Sequence, residues 1–232
     1  NEEGIFVGWT GRVSSSWKFN DYADLMYFPW LKYQVGDSSC GAEGMLQADF
    51  SPNKRLSLQM RYRVKSKECD YDFIANKQEL TVLKFKTSHN LRLQLNNTLS
   101  PSLTMRTTAI GTIVHFAGSA ERGFSITENV RWQNRKKARI DVGLTYFDTD
   151  SYNSRIYAYE PTLLYAYGFT TYYYRGIRSA LLVTVPIFNT GATLTAKFAS
   201  TLYINREQIG SGLDLIDNSH REELQLQGRW SL

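Results

Sequence analysis

The most constraining feature of this sequence is the strict alternation of apolar and polar residues over long segments. Between Arg55 and Lys65 every second residue is apolar, and the residues in between are basic or polar. A strand places these two sets on opposite faces, whereas a helix would scatter arginine and leucine around its circumference. The same pattern recurs around Leu83, Ile140, Leu194 and Leu224. The sequence therefore predicts an all-β, antiparallel fold.

The length of the alternating segments separates this chain from ordinary globular sheets. Strands of globular proteins usually have about five or six residues, whereas a tilted strand needs about 9–11 residues to cross a bilayer. The mean hydropathy is only −0.38, which does not exclude a membrane barrel because only alternate residues of its strands face lipid. Aromatic residues make up 14% of the chain, which fits aromatic girdles at two membrane interfaces. We therefore expect a transmembrane β-barrel in the outer membrane.

The connections between the segments support this expectation because short and long ones alternate. The predicted short turns are Ser14–Ser16, Ser51–Asn53, Ser100–Ser102, Asn134–Lys136 and Asn189–Gly191. The predicted long connections are Phe28–Gly44, Ser66–Gln78, Phe116–Arg122, Asp148–Arg175 and Asn205–Ser219. Outer-membrane barrels have short periplasmic turns and long outer loops. The alternative, a soluble barrel or sandwich, predicts that Leu56, Leu58, Met60 and Tyr62 pack against a second layer.

Counting the segments gives about 11–12 strands in a single barrel domain that spans residues 1–232. Because single-chain bacterial barrels usually have an even number of strands, we expect upstream strands to complete the barrel and this chain to be the C-terminal part of a longer protein. The last strand carries Gly228, Trp230 and Leu232 on one face. An alternating terminal strand that ends in aromatic or apolar residues is the usual signal for the barrel-assembly machinery, although the last residue here is Leu where Phe is more usual. The alternative is an ordinary amphipathic strand.

Four stretches together resemble a known family. They are YAD and FPWLKYQ within Tyr22–Gln34, LSPSL at Leu99–Leu103, FDTDSYNSRIYAYE at Phe147–Glu160 and EQIGSGL at Glu207–Leu213. Over most of its length the chain resembles the C-terminal β-barrel region of outer-membrane proteins of the Bacteroidota that carry a helix-hairpin-helix domain. The Phe147–Glu160 stretch is the most specific part. The resemblance implies an outer-membrane barrel that follows a periplasmic helical region, so DNA binding would belong to that unseen upstream region.

Basic residues on the polar parity of the strands should point into the barrel lumen. The rows comprise Arg61, Arg63, Lys84, Lys86, Arg92, Arg106 and Arg139. One interpretation is a polar filling in which these bases pair with acids such as Asp49, Asp141 and Glu223, as is possible in a barrel of this size. The other is a path or docking site for a polyanion.

Two further residue sets lie in the predicted outer loops. The longest connection contains Tyr165, Tyr167, Tyr172, Tyr173 and Tyr174. Tyrosine suits both a membrane interface and a protein-binding surface, so this loop is the candidate partner site. Cys40 and Cys69 would lie in neighbouring outer loops, where they could form a disulfide or remain free thiols.

The sequence predicts no catalytic centre, cofactor or metal site. His89, His115 and His220 have no evident Ser or Asp partner, and no Gly-rich phosphate loop is present. We expect a non-enzymatic membrane anchor or subunit of an outer-membrane assembly, with a channel for anionic solutes or DNA as the alternative. The expected partners are outer-membrane lipid and lipopolysaccharide, other outer-membrane proteins, and the barrel-assembly machinery during insertion.

Overall fold

The computed structural model describes residues 2–33, 35–75, 78–187, 191–210 and 212–230. Within them the chain forms thirteen strands and one short 3-10 turn, Gly212–Asp214. The strands are β1 (Glu3–Arg12), β2 (Trp17–Phe28), β3 (Ser39–Asn53), β4 (Leu56–Ala75), β5 (Gln78–Ser100), β6 (Leu103–Phe116), β7 (Ser119–Gln133), β8 (Arg139–Thr149), β9 (Ile156–Tyr159), β10 (Phe169–Tyr172), β11 (Arg175–Ile187), β12 (Ala192–Tyr203) and β13 (His220–Trp230). The all-β prediction is confirmed.

Eleven of these strands form one antiparallel sheet in the order β1 to β8, then β11, β12 and β13. Strands β9 and β10 pair only with each other, as a separate two-stranded sheet. Strands of the large sheet that are consecutive in the chain are neighbours and can be joined as hairpins, whereas β8 and β11 are neighbours joined by the longer segment that contains β9 and β10. Strands β1 and β13 are the two edges of the sheet in the described part of the chain.

The two faces of the sheet differ in character. The segment between β8 and β11, residues 150–174, lies against one face, which we call the inner face; we call the segment the insert. The opposite, outer face exposes the apolar side chains that alternate along the strands, including Met60, Leu93, Leu144 and Phe198. In the described residues no second sheet covers the outer face, as the sandwich alternative would require.

Connection lengths divide the sheet into two ends. The connections at one end are short: four residues join β1 to β2, two join β3 to β4 and two join β5 to β6. We call this the turn end of the sheet. The predicted turns Ser14–Ser16, Ser100–Ser102 and Asn134–Lys136 lie at these short connections. The predicted turn Ser51–Asn53 is wrong, because β3 extends to Asn53 and the turn is formed by Lys54 and Arg55. Most of Asn189–Gly191 lies outside the described residues. In the predicted insertion signal, Gly228 and Trp230 belong to β13, and Leu232 lies outside the described residues.

Two of the predicted long connections at the opposite end are wrong. The described residues of Ser66–Gln78 are strand, because β4 extends to Ala75 and β5 begins at Gln78. Beyond the Gly41–Lys67 and Thr87–His115 pairs no other described strand pairs with these two, so Glu68–Ala75 and its partner strand project as a two-stranded ribbon. At about 3.3 Å per residue the ribbon is roughly 26 Å long. We call this end of the sheet the ribbon end.

The other wrong connection is Phe116–Arg122, which contains a two-residue turn. Phe116 pairs with Ser119, and Ala117 and Gly118 both have positive φ, 53° and 85°. Positive φ at both central residues is the geometry of the tight hairpin turn that matches strand twist. Glycine adopts this conformation freely, whereas Ala117 does so at a steric cost.

Helices contribute almost nothing to the fold. The described residues contain no helix that is long and apolar enough to cross a membrane.

The Ala117 conformation gives a test of the turn geometry. Ala117→Gly removes the Cβ clash of a left-handed residue and should raise the free energy of unfolding by about 1 kcal/mol. The matched control is Ala109→Gly, in the extended part of β6, where glycine should lower the free energy of unfolding by about 0.5–1 kcal/mol. Urea unfolding followed by tryptophan fluorescence measures both. Equal destabilisation by the two substitutions would contradict the turn.

Candidate functional site

The insert runs along the inner face from the ribbon end to the turn end and back. Near the ribbon end, the Lys86 Nζ donates to the Asn153 Oδ1 at 2.7 Å. Near the turn end, the Gln227 Nε2 of β13 donates to the Leu164 carbonyl at 2.8 Å. Strands β9 and β10 form the hairpin between these points. The predicted long connection Asp148–Arg175 is therefore present, but it folds back over the polar face of the sheet instead of extending away from it.

A buried carboxylate fixes the middle of the insert to the sheet. Glu160 is 5% exposed and accepts two hydrogen bonds from Arg178 of β11, from Nε at 2.6 Å and from Nη2 at 2.8 Å. Its Oε1 also lies 2.7 Å from the Nζ of Lys197 in β12. Arg178 reaches Glu223 of β13 as well, at 3.2 Å. One side chain of the insert thus joins two strands directly and a third through Arg178.

The geometry of this network keeps Glu160 ionised. Burial alone would raise the pKa of the Glu160 carboxyl, but the hydrogen bonds and positive charges of Arg178 and Lys197 lower it below its ordinary value. A two-pronged arginine–carboxylate contact is among the strongest polar interactions in proteins. Removal of one member would leave the other charges buried without a counter-charge, which is strongly destabilising.

An apolar cluster holds the insert beside this network. Ile156, Ala158 and Tyr172 of the insert pack with Ile110, Phe147, Tyr203 and Ile209. The ring centroids of Phe147 and Tyr172 lie 5.1 Å apart. Burial raises the pKa of Tyr172 to about 12, so its hydroxyl stays protonated and donates to the Thr145 hydroxyl. The cluster gives the insert a small core of its own on an otherwise polar face.

The five tyrosines of the predicted partner loop do not form one surface. Tyr172 is 2% exposed, and Tyr173 and Tyr174 are half-buried, with their ring centroids 5.1 Å apart. Only Tyr165 and Tyr167, at the tip of the insert, are fully exposed, at 93% and 84%. For Tyr172 the interaction role is therefore wrong, because the residue is part of the apolar cluster.

The predicted basic rows separate into three groups in the structure. The first group is paired with acids: the Arg139 and Arg131 Nε atoms lie 2.8 and 2.5 Å from the carboxylate of Asp141. Arg63 and Lys65 likewise lie 3.8 and 3.1 Å from the Glu43 carboxylate. These ion pairs are of the kind that the polar-filling interpretation predicts, and Asp141 is one of the acids that the sequence indicated.

The second group lies toward the ribbon end. Lys84 belongs to the projecting ribbon, where its Nζ lies 4.0 Å from the centre of the Tyr71 ring. Lys84 has the same parity as Arg92, but it lies beyond the end of the neighbouring strands, because β4 and β5 continue past them there. Lys86 lies where the ribbon begins and contacts the insert through Asn153.

The third group, Arg61, Arg92 and Arg106, hydrogen-bonds neutral amides. Arg61 donates to Gln47, Arg92 to Gln94 and Arg106 to Asn96. Asp49, which was expected to pair with a base, instead accepts from Asn20, Gln47 and Gln59.

Sequence reasoning missed Glu160 and Arg178, the two residues at the centre of the network. Glu160 stands in the irregular part of the longest connection, where no periodicity predicts a direction. Arg178 is the one base among small and apolar neighbours on its parity of β11, Gly176 and Ala180. The signal that could have identified Arg178 was its isolation, since its nearest neighbours on the same face of β11 are small and apolar.

The predicted disulfide is not formed, and both thiols are free. The Cys40 amide donates to the Glu68 carboxylate on the neighbouring strand β4. Cys69 follows Glu68 directly, so its side chain points to the opposite face of the ribbon. The two cysteines are thus close along the ladder, but the pleat keeps their sulfurs on different faces.

His89 and His115 lie next to each other away from the inner-face network, and His220 lies apart from both. His89 lies on the outer face, with its Nδ1 2.7 Å from the Tyr62 hydroxyl and its ring 5.9 Å from that of His115. His220 contacts Ser219 and Asn218 at the start of β13. Among the described residues no three His, Cys, Asp or Glu side chains are grouped as a metal site. No protein-family model, curated protein or solved structure matches this chain.

Replacement of Glu160 tests the network. Glu160→Gln leaves Arg178 and Lys197 with one carboxylate fewer and should lower the free energy of unfolding by about 3 kcal/mol. The control Glu207→Gln removes an exposed carboxylate and should change stability by less than about 0.5 kcal/mol. Denaturant unfolding of both variants measures the difference. If the two variants are equally stable, Glu160 does not hold the insert.

The same carboxylate predicts a dependence on pH. Because its pKa in the folded protein is lowered from the ordinary 4.5, its contribution is present above about that pH and is lost as the pH falls through the lower, folded value. The wild type should therefore lose more stability between pH 5 and acidic pH than Glu160→Gln does. Parallel pH profiles of the two proteins would contradict this assignment.

Proposed function

We propose that this chain forms a transmembrane β-barrel of the bacterial outer membrane that serves as a membrane anchor or as a subunit of an outer-membrane assembly. The observation that carries the proposal is the exposed apolar outer face, opposite a polar inner face filled by the insert. A large exposed apolar surface is rare on soluble monomers and marks contact with lipid or protein. Here the apolar residues recur on every second position of long strands, which is the lipid-facing pattern of barrels.

Aromatic residues near both ends of the outer face support a membrane position. At the turn end Trp17, Trp132 and Trp230 are exposed on this face, and toward the ribbon end Tyr62, Phe124 and Tyr146 are exposed. On β7, Trp132 and Phe124 are eight residues apart, roughly 26 Å at about 3.3 Å per residue. This spacing fits the apolar band of about 25 Å between the aromatic girdles of outer-membrane barrels.

The direction of the edge strands supports completion of the barrel by a further strand. In an antiparallel sheet of eleven strands the first and last strand run in the same direction. One strand between β1 and β13 would make every pairing antiparallel and bring the count to twelve, an even number. The resemblance to Bacteroidota helix-hairpin-helix proteins is compatible with such a strand upstream, and any DNA contact would belong to that upstream region.

The filled inner face favours an anchor or subunit over an open channel. The insert contacts β5, β8 and β11 to β13 along the length of the sheet. The ribbon projects beyond its neighbours and exposes Ile74, Leu80 and Phe85. A projecting apolar ribbon supplies a surface for another outer-membrane protein, while lipid and lipopolysaccharide surround the barrel and the barrel-assembly machinery inserts it.

The second candidate is a channel for anionic solutes or DNA through a basic lumen. Arg61, Arg92 and Arg106, which form no ion pair within the described residues, favour it. Basic side chains lower the electrostatic barrier for anions in a pore. The two candidates differ in whether the lumen conducts while the insert is in place.

Single-channel recording in a planar bilayer distinguishes them. The wild-type protein, verified as membrane-integrated by resistance to carbonate extraction, should show little conductance because the insert fills the inner face. A variant with residues 150–174 replaced by a short Gly-Ser linker should show a stable, larger conductance. An anion-selective wild-type conductance would favour the channel, and a monodisperse protein without detergent would contradict the membrane assignment.

A further inference from the structure

Three arginines lie on neighbouring strands of the inner face. Arg61 of β4 and Arg92 of β5 are direct cross-strand partners, and Arg106 of β6 is the partner of Asn96, four residues from Arg92. Side chains directly opposite in a ladder are close neighbours, and like charges in that arrangement repel. Arg61 and Arg92 therefore lie side by side, and two amides connect Arg92 to Arg106, because Arg92 donates to Gln94, which donates to the same Asn96 Oδ1 that accepts from Arg106.

Each guanidinium has one hydrogen bond to a neutral amide and keeps further donors free of carboxylates. The Arg61 Nε donates to the Gln47 Oε1 at 2.8 Å, and the Arg92 Nη2 donates to the Gln94 Oε1 at 2.5 Å. The Arg106 Nε donates to the Asn96 Oδ1 at 2.8 Å. A guanidinium carries five N–H donors. The Nε of Arg92 is itself buried without a hydrogen-bond partner.

The acids nearest in the strand ladder are engaged elsewhere. Asp49 accepts hydrogen bonds from three amide side chains. Glu43 binds Tyr22, Arg63 and Lys65. Within the described residues no carboxylate oxygen lies within 4.0 Å of a nitrogen of Arg61, Arg92 or Arg106.

The rest of the inner face is different. Where the insert lies, Arg178 and Lys197 share Glu160, and nearby Arg131 and Arg139 share Asp141. The same chain that matches these bases with acids leaves Arg61, Arg92 and Arg106 unmatched. Neutral amides orient the three guanidinium groups without cancelling their charge, as a site for an external anion requires.

We propose that Arg61, Arg92 and Arg106 form a binding site for a phosphate-type oxyanion. Arginine binds phosphate through two parallel N–H···O bonds, and several such donors can surround one tetrahedral anion or the two groups of a diphosphate. The phosphate can belong to a soluble compound or to a lipid headgroup. The inner-face position favours the soluble source, since lipid chains would need the apolar outer face.

The site does not depend on the proposed membrane function. Its three strands, their register and the amide contacts are the same whether or not a further strand closes the sheet. Binding of an anion can therefore be measured on the folded full chain without a bilayer.

The experiment is a titration of the full chain, folded in a phosphate-free detergent at low salt, with inorganic pyrophosphate. Calorimetry should show saturable binding, and the unfolding temperature should rise with pyrophosphate concentration because the anion binds the folded state. The triple variant Arg61→Gln/Arg92→Gln/Arg106→Gln should bind about tenfold more weakly or worse, because each charge-assisted hydrogen bond contributes substantially to affinity. The matched control Lys54→Gln/Arg55→Gln/Arg135→Gln removes the same charge from exposed turns and should bind as the wild type does.

A second measurement keeps the result interpretable if the triple variant differs in stability. Without anion the triple variant should be at least as stable as the wild type, because like-charge repulsion is gone. Phosphatidylglycerol added to the micelles tests the lipid source: competition with pyrophosphate for the wild type would assign the site to a lipid headgroup. Absence of saturable pyrophosphate binding, or equal affinity of the triple and control variants, would overturn the proposal.

Discussion

Successive residues of a strand point to opposite faces, and this constraint shapes everything else in the molecule. Because the outer parity is apolar in strand after strand, the inner parity has to carry nearly all of the polar and charged groups. A polar face this large cannot be buried by ordinary apolar packing, since unpaired charges are costly away from water. The insert covers part of this face and brings both apolar side chains and a carboxylate to it.

The inner face consequently has two regions, which differ in whether the basic side chains are paired with acids. Over β7, β8, β11 and β12 the bases meet acids at short distance, and the charged groups are part of the structure's own stability. Over β4 to β6, Arg63 and Lys65 share Glu43, but Arg61, Arg92 and Arg106 meet only amides within the described residues, so the charge of these three stays available. The insert lies over the first region, and among the described residues its one hydrogen bond to the second region's strands joins Asn153 to Lys86, near the ribbon end.

A structural feature of this chain could be predicted from the sequence only where its cause is local in the sequence. Alternation along Arg55–Lys65 specifies which side chains share a face, and the exposure of Met60 and Tyr62 agrees with it. Polar residues such as Asp70 and Asp72 look like a loop, yet they extend the ribbon because cross-strand pairing continues past the sheet. Ala117–Gly118 is too short a turn signal to recognise without its register. Glu160 and Tyr172 depend on a long-range fold of the insert, for which no strand period gives information.

The position of the insert within the chain has a consequence for the order of assembly. Glu160 precedes its partners Arg178 and Lys197 by 18 and 37 residues, so the contact with β11 closes a short loop and forms at low entropic cost. Strands β11, β12 and β13 all follow the insert in the chain, and each of them contacts it. The insert is thus positioned to act as a template for the last three strands, which add to β8 in sequence with their inner residues already matched to a preformed surface.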